Sequence, residues 1–139
     1  MAANRAHVFK ARLKGWGDGL YLKANMVVNG VTLRVFAAIV EAPEHLIDTG
    51  RARGGWAIAV ESPGDHLPPV VERGGPVMDL PSSGPYLSLL ATATLEQKRV
   101  VYNNVEYIVW IELGTDKMEG MHVVQAAIAR LLGESAEAA

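Results

Sequence analysis

Apolar residues recur at helical spacing from about residue 20 to residue 44. Val27, Val31, Val35, Ala38, Ile39 and Ala42 fall on one stripe, with Lys23, Arg34 and Glu41 off it. Pro43 marks the last turn of that helix or the position just past it. Asn29-Gly30 supports a rival reading, because that dipeptide favours a hairpin turn. The β-branched residues of 27–40 suit strands at roughly 22–28 and 31–40. The periodicity favours the helix, and the hairpin stays open. Ahead of this segment, Gly15-Trp16-Gly17-Asp18-Gly19 is glycine-dense. Residues 1–19 are therefore expected to form a short helix at most, followed by a flexible turn.

Further on, a side-chain oxygen of Asp48 or Thr49 can cap a short helix through Arg53, which Gly54-Gly55 stops. Residues 56–61 alternate like a half-buried strand. Residues 62–85 hold six of the seven prolines together with Gly64, Gly74, Gly75 and Gly84. They read as a long loop or arm with room for a short strand at Val70-Val71, and loops of that length are usually functional or mobile. Ser82-Ser83 is placed to cap a helix from about Pro85 to Gln97 with Leu87, Leu90, Ala91 and Leu95 on its apolar face. Arg99 to Tyr102 reads as a strand and Asn103-Asn104 as a turn. Residues 105–113 are apolar almost throughout, a short helix or a strand that is expected to be largely buried, and Gly114 ends it. Residues 121–132 form a last amphipathic helix closed by Gly133, with 133–139 frayed. No internal repeat or composition shift divides the chain, so 1–139 is read as one domain.

At 139 residues the chain is long enough to bury a core without covalent staples. It has no cysteine, which excludes disulfides, thiolate metal sites and thiol catalysis. The formal charge of −2 argues against a general nucleic-acid binder. That charge is uneven: Arg5, Lys10, Arg12, Lys14 and Lys23 face only Asp18 in the first 23 residues, while Glu134 and Glu137 follow the last base, Arg130. Such asymmetry can guide an acidic neighbour, although a solvated basic end is the simpler reading. No uninterrupted apolar run approaches the roughly 20 residues of a membrane span. The start of the chain lacks the apolar region of a signal peptide, so an unprocessed intracellular product is expected.

The pattern offers little catalytic chemistry. His7, His45, His66 and His122 fall in no metal-ligand spacing. Gly15-Trp16-Gly17-Asp18-Gly19 lacks the spacing of a dinucleotide loop and carries an acid where phosphate would sit. No serine lies in a nucleophile elbow. Glu106 and Glu112 are six apart, on one face of a strand but on opposite sides of a helix, and nothing else supports an acid/base pair. No catalytic residue, metal or cofactor is assigned, and an enzyme is not expected.

Two cassettes carry a resemblance. Asp48-Thr49-Gly50-Arg51-Ala52-Arg53-Gly54-Gly55-Trp56 is similar to the Asp-Thr-Gly-Arg-x-Arg-x-x-Trp block of the tail-completion (neck) proteins of tailed bacteriophages, of the lambda minor tail protein Z type. Tyr102-Asn103-Asn104-Val105-Glu106-Tyr107-Ile108, followed by Glu112-Leu113-Gly114, resembles the family's second block, and Gly120-Met121 its Gly-Met-Val stretch. The likeness covers about residues 20–132. Glu106 stands where the family usually has proline, and Asp116-Lys117-Met118-Glu119 replaces its Gln-Ala-Pro; residues 1–19 match nothing in it.

The resemblance implies an α+β subunit: a small mixed, mainly antiparallel sheet with a long N-terminal helix and flanking helices. It implies a structural virion protein that forms a hexameric ring at the head-proximal end of the tail and enables head–tail joining. Its partners would be itself and other neck, tail-tube or head-connector proteins, with DNA passing through without specific binding and no membrane involved. It would be made in the bacterial host cytoplasm. Gly50, Trp56, Tyr107 and Gly114 are read as structural, with Asp48, Thr49, Asn103 and Asn104 as turn residues of the motifs. Arg51, Arg53 and Glu112 are candidates for ion pairs between subunits. A rival function is a small enzyme or ligand-binding domain with loop 62–85 as its lid.

Overall fold

In the computed structural model, which describes residues 2–45, 50–70 and 74–138, one long helix sets the shape of the chain. Helix α1 (Ala2–Val40) has 39 residues, about 58 Å at 1.5 Å per residue. It runs straight through the glycine-rich segment, so the expected turn at 15–19 is not there. The physical reason is that glycine only weakens a helix, by about 1 kcal/mol relative to alanine, whereas proline breaks it. The first proline is Pro43, just beyond the helix end. Gly15, Gly17 and Gly19 also meet no packing demand, since a Cβ at any of them would find nothing within 4 Å.

The helix, not the hairpin, also forms at Asn29-Gly30, because the Asn29 side chain is engaged across the fold. Its amide donates to the Leu90 carbonyl at 3.0 Å, and its oxygen accepts from Arg99. The sequence stripe is partly rotated. Ile39 and Ala42 are buried as expected, but Val27 and Val31 are exposed, and Thr32 and Phe36 face the core instead.

After α1 come α2 (Arg51–Gly54), β1 (Trp56–Val60), α3 (Gly84–Ala91), β2 (Arg99–Asn103) and α4 (Ile108–Leu113). A two-residue ribbon, β3 (Gly114–Thr115) and β4 (Met118–Glu119), precedes α5 (Val123–Ala138). The fold is α+β. Strands β1 and β2 pair antiparallel from Trp56↔Asn103 to Val60↔Arg99, and β3 pairs antiparallel with β4. Phe36, Ile39 and Val40 of α1 pack against Trp56 and Ile58 of β1, Leu90 of α3, and Val123 and Ala127 of α5. The Tyr86 ring meets Phe36 edge-on at 5.3 Å between centroids.

Several element-level expectations change. Helix α3 stops at Ala91 rather than Gln97, and Thr92 and Thr94 turn the chain towards β2 through bonds to the Leu89 carbonyl and the Gln97 side chain. Only Leu90 of its expected apolar face is buried; Leu87 and Ala91 are exposed and Leu95 is half-buried. Residues 105–113 bury Val105 and Ile111 but expose Val109, Trp110 and Leu113. Helix α5 continues past Gly133 to Ala138, so that glycine is not its end. No strand forms among the described residues of loop 62–83; Val71, half of the short strand expected there, lies outside them. By length and composition alone, Val8–Val40 of α1 could cross a membrane (mean hydropathy 1.3), which a search for uninterrupted apolar runs does not reveal.

Candidate functional site

The two motif cassettes fold onto one another. Gly50 opens α2 with a left-handed φ of 80°. A Cβ there would lie 2.8 Å from the Met78 carbonyl oxygen, so the position requires glycine twice over. Asp48 and Thr49, expected to cap this helix, lie outside the described residues; Gly50 occupies the N-cap position without a side-chain cap bond.

Arg51 follows, and it is a buried cation, only 6% exposed. Its Nε donates to the Pro68 carbonyl at 3.2 Å and its Nη1 to Glu106 Oε1 at 2.9 Å. Its guanidinium lies over the Tyr107 ring at 6.0 Å. The Glu106 carboxyl is held below the usual carboxylate range, first by its own backbone amide and then by Arg51. Arg53, on the other side of α2, donates to the Met78 carbonyl at 3.0 Å.

Gly55 permits the close approach of the second cassette, since a Cβ there would stand 2.5 Å from Asn103 Oδ1 and from Val105 Cγ2. Asn103 then bridges the two blocks. Its amide donates to the Ala52 carbonyl at 2.7 Å while its oxygen accepts from the Val105 amide at 2.9 Å, an Asx turn. Asn104 donates to the Gly64 and His66 carbonyls at 2.8 and 3.2 Å, fastening the start of the long loop. The loop is thus tied at Gly64, His66, Pro68 and Met78 to residues of the two cassettes.

Trp56 is core: it is buried, and its indole N–H donates to His45 Nε2 at 2.9 Å. That bond requires Nε2 to be unprotonated. Burial, then the nearby Arg53 charge, lowers the His45 pKa below 6.5, with Glu112 opposing. His45 Nδ1 has no hydrogen-bond partner among the described residues. Glu112 accepts from the Val124 amide at 3.0 Å and the Gln125 amide at 3.4 Å. These are first-turn donors of α5, where a carboxylate is favoured by the helix dipole. Gly114, with φ of 85°, turns the chain sharply; a Cβ there would lie 2.5 Å from the Gly120 amide.

The structure therefore brings together Gly50, Arg51, Arg53, Trp56, Asn103, Asn104 and Tyr107, and sets Glu112 and Gly114 apart at the base of α5. The residues implied for ion pairs between subunits all have partners within this chain. Glu106 and Glu112 diverge, one to Arg51 and one to α5.

Sequence reasoning missed the polar cluster that docks α1. Arg99 of β2 donates to Asn25 and Asn29 and to the Thr94 and Gln97 carbonyls. Asn25 donates to the Ala93 carbonyl at 3.0 Å, and Tyr21 donates to Glu96 at 2.8 Å. The available signal was two asparagines four apart in an apolar stretch. A separate apolar groove of about 180 Å³ lies between α1 and α5, lined by Val31, Arg34, Val35, Ile128, Leu131 and Leu132.

Chemically, the cassette junction presents amides, guanidinium groups and the His66 imidazole (Nε2 3.1 Å from the Gly54 carbonyl oxygen) directed at backbone carbonyls, the groups that brace a fold. Among the described residues no three His, Asp or Glu side chains are grouped to hold a metal ion. Comparison with protein-family models, with curated proteins and with solved structures finds no match for this chain.

Proposed function

We propose that this chain is a structural assembly subunit, of the kind that completes the head-proximal end of a phage tail and lets it join a filled head. In this reading copies form a ring, hexameric by the family resemblance, stacked against other neck, tail-tube or head-connector proteins, with DNA passing through. The observation that carries it is the packing of the two resembling cassettes into one junction. Arg51 meets Glu106, Asn103 meets Ala52, and Gly55 clears space for Val105. Loop 62–85 is tied at several points along its length, which suits a strap more than a lid.

The test is electron microscopy of particles from the source phage or prophage with this gene deleted. Filled heads beside separate tails, or tails of abnormal length, are expected. Normal infectious virions would overturn the proposal.

A further inference from the structure

Helix α1 presents a second apolar face that its own fold leaves uncovered. At about 100° per residue, Phe9, Leu13, Trp16, Leu20, Val27 and Val31 fall within about 60° of arc. That face is opposite the one through which Asn25, Asn29, Thr32 and Phe36 dock on the body. The stripe is exposed along its length, Phe9 by 67%, Trp16 by 66% and Val27 by 64%. Its spacing of four, three and four residues from Phe9 to Leu20 is that of a coiled-coil seam. At its lower end it runs into the α1/α5 groove, where Ile128 and Leu132 are also exposed.

We infer that this stripe pairs with the same stripe of a second copy of the chain, the two helices antiparallel about a two-fold axis near Leu20. Two observations select this occupant. The first is area. Large aromatic and aliphatic side chains of these types together expose on the order of 700 Å² per copy, which sets the ceiling on what pairing through them buries and is comparable to the roughly 800 Å² per partner of a stable interface. It also exceeds the largest apolar patch usual on a monomer, about 300–600 Å². The second is charge. A parallel pair would gather Lys10, Arg12 and Lys14 of both copies at one end. The antiparallel pair instead carries that basic stretch to the other end of the stripe, where Arg34 lies 3.7 Å from Glu134 near the acidic tail of α5.

The register follows. Leu20 meets its own counterpart, Leu13 meets Val27, and Phe9 lies over Val31 at the mouth of the groove. The face of α1 that docks on the body through Asn25 and Asn29 points away from the partner. The contact uses a different surface from the cassette junction and does not rest on the virion reading.

The absence of cysteine makes cross-linking unambiguous. Full-length Leu20→Cys is expected to oxidise to a covalent dimer. Leu13→Cys is expected to do so only when mixed with Val27→Cys. In sedimentation velocity the wild-type chain should run as a dimer or a multiple of one. Trp16→Glu and Leu13→Glu should each lose that association while keeping the helical circular dichroism and the melting transition. Equal self-cross-linking of Leu13→Cys and Leu20→Cys would overturn the antiparallel pair. So would a wild-type monomer at high concentration, whether or not it sediments with anionic phospholipid vesicles. Loss of the dimer with the deletion phenotype intact would leave the proposed virion role standing.

Discussion

Arg51 and Trp56 carry most of what the first cassette does for stability, for different reasons. The Arg51–Glu106 pair has one buried and one exposed partner, with side chains 6% and 65% accessible. A pair open to water on one side contributes little, of order 0–1 kcal/mol. Arg51 stabilises the fold more through its bond to the Pro68 carbonyl and the packing of its buried stem. Glu106→Gln should therefore change urea unfolding little, and Arg51→Ala should cost about 2 kcal/mol or more. Equal losses would mean that the ion pair itself dominates. Trp56→Ala removes a core aromatic and should cost about 3–5 kcal/mol.

His45 adds a pH dependence whose sign is fixed by its lowered pKa. The unfolded chain takes up a proton near pH 6.5 more readily than the folded one. Stability from this group is thus complete above about pH 6.5 and declines as pH falls below it. Melting at pH 7.5 and at pH 5 should show a smaller drop for His45→Gln than for the wild type; an identical drop would refute this origin.

At the scale of elements, sequence patterns succeeded where local chemistry decides and failed where burial does. Strand β1 was legible at 56–61 after Gly54-Gly55, but not by the half-buried alternation expected of it, since Trp56, Ala57 and Ile58 are all buried. The turn at Gly114 was legible because an apolar run ends there, and the structure supplies the left-handed φ that glycine tolerates. The start of α1 was not, since counting glycines overlooks that helix-forming Ala, Lys, Arg and Leu surround them with no proline to stop the turn. Residues 109–113 misled for another cause: apolarity was taken as burial, and Trp110 and Leu113 lie on the surface. At the junction, the motif residues were legible by resemblance, but their mutual bonds, such as Asn103 to Ala52, depend on strand pairing that no spacing encodes. The α1 glycines give a direct test. Gly15 lies off the exposed stripe with open space around its Cα, so Gly15→Ala should raise stability by about 0.4–1 kcal/mol. A neutral or negative effect would place that turn of α1 outside the cooperative fold.

The whole molecule is a small body braced by its cassette junction, with the first half of α1 extending from it. Among the described side chains, Tyr21 makes the first hydrogen bond from α1 to that body, through Glu96 and the Leu95 amide. Several large apolar side chains before it are exposed, and helices of a lone domain rarely do so over such a length. This exposed stripe is the surface that the proposed pairing of two copies would cover. The molar mass of the purified full-length chain, measured by sedimentation over a concentration series, is the most direct test of the proposed pairing of two copies through α1. A mass of at least twice 14.9 kDa, reduced to 14.9 kDa by Trp16→Glu, is the expected result. A single 14.9 kDa species at every concentration up to about 100 μM, where even weak complexes form, would contradict it.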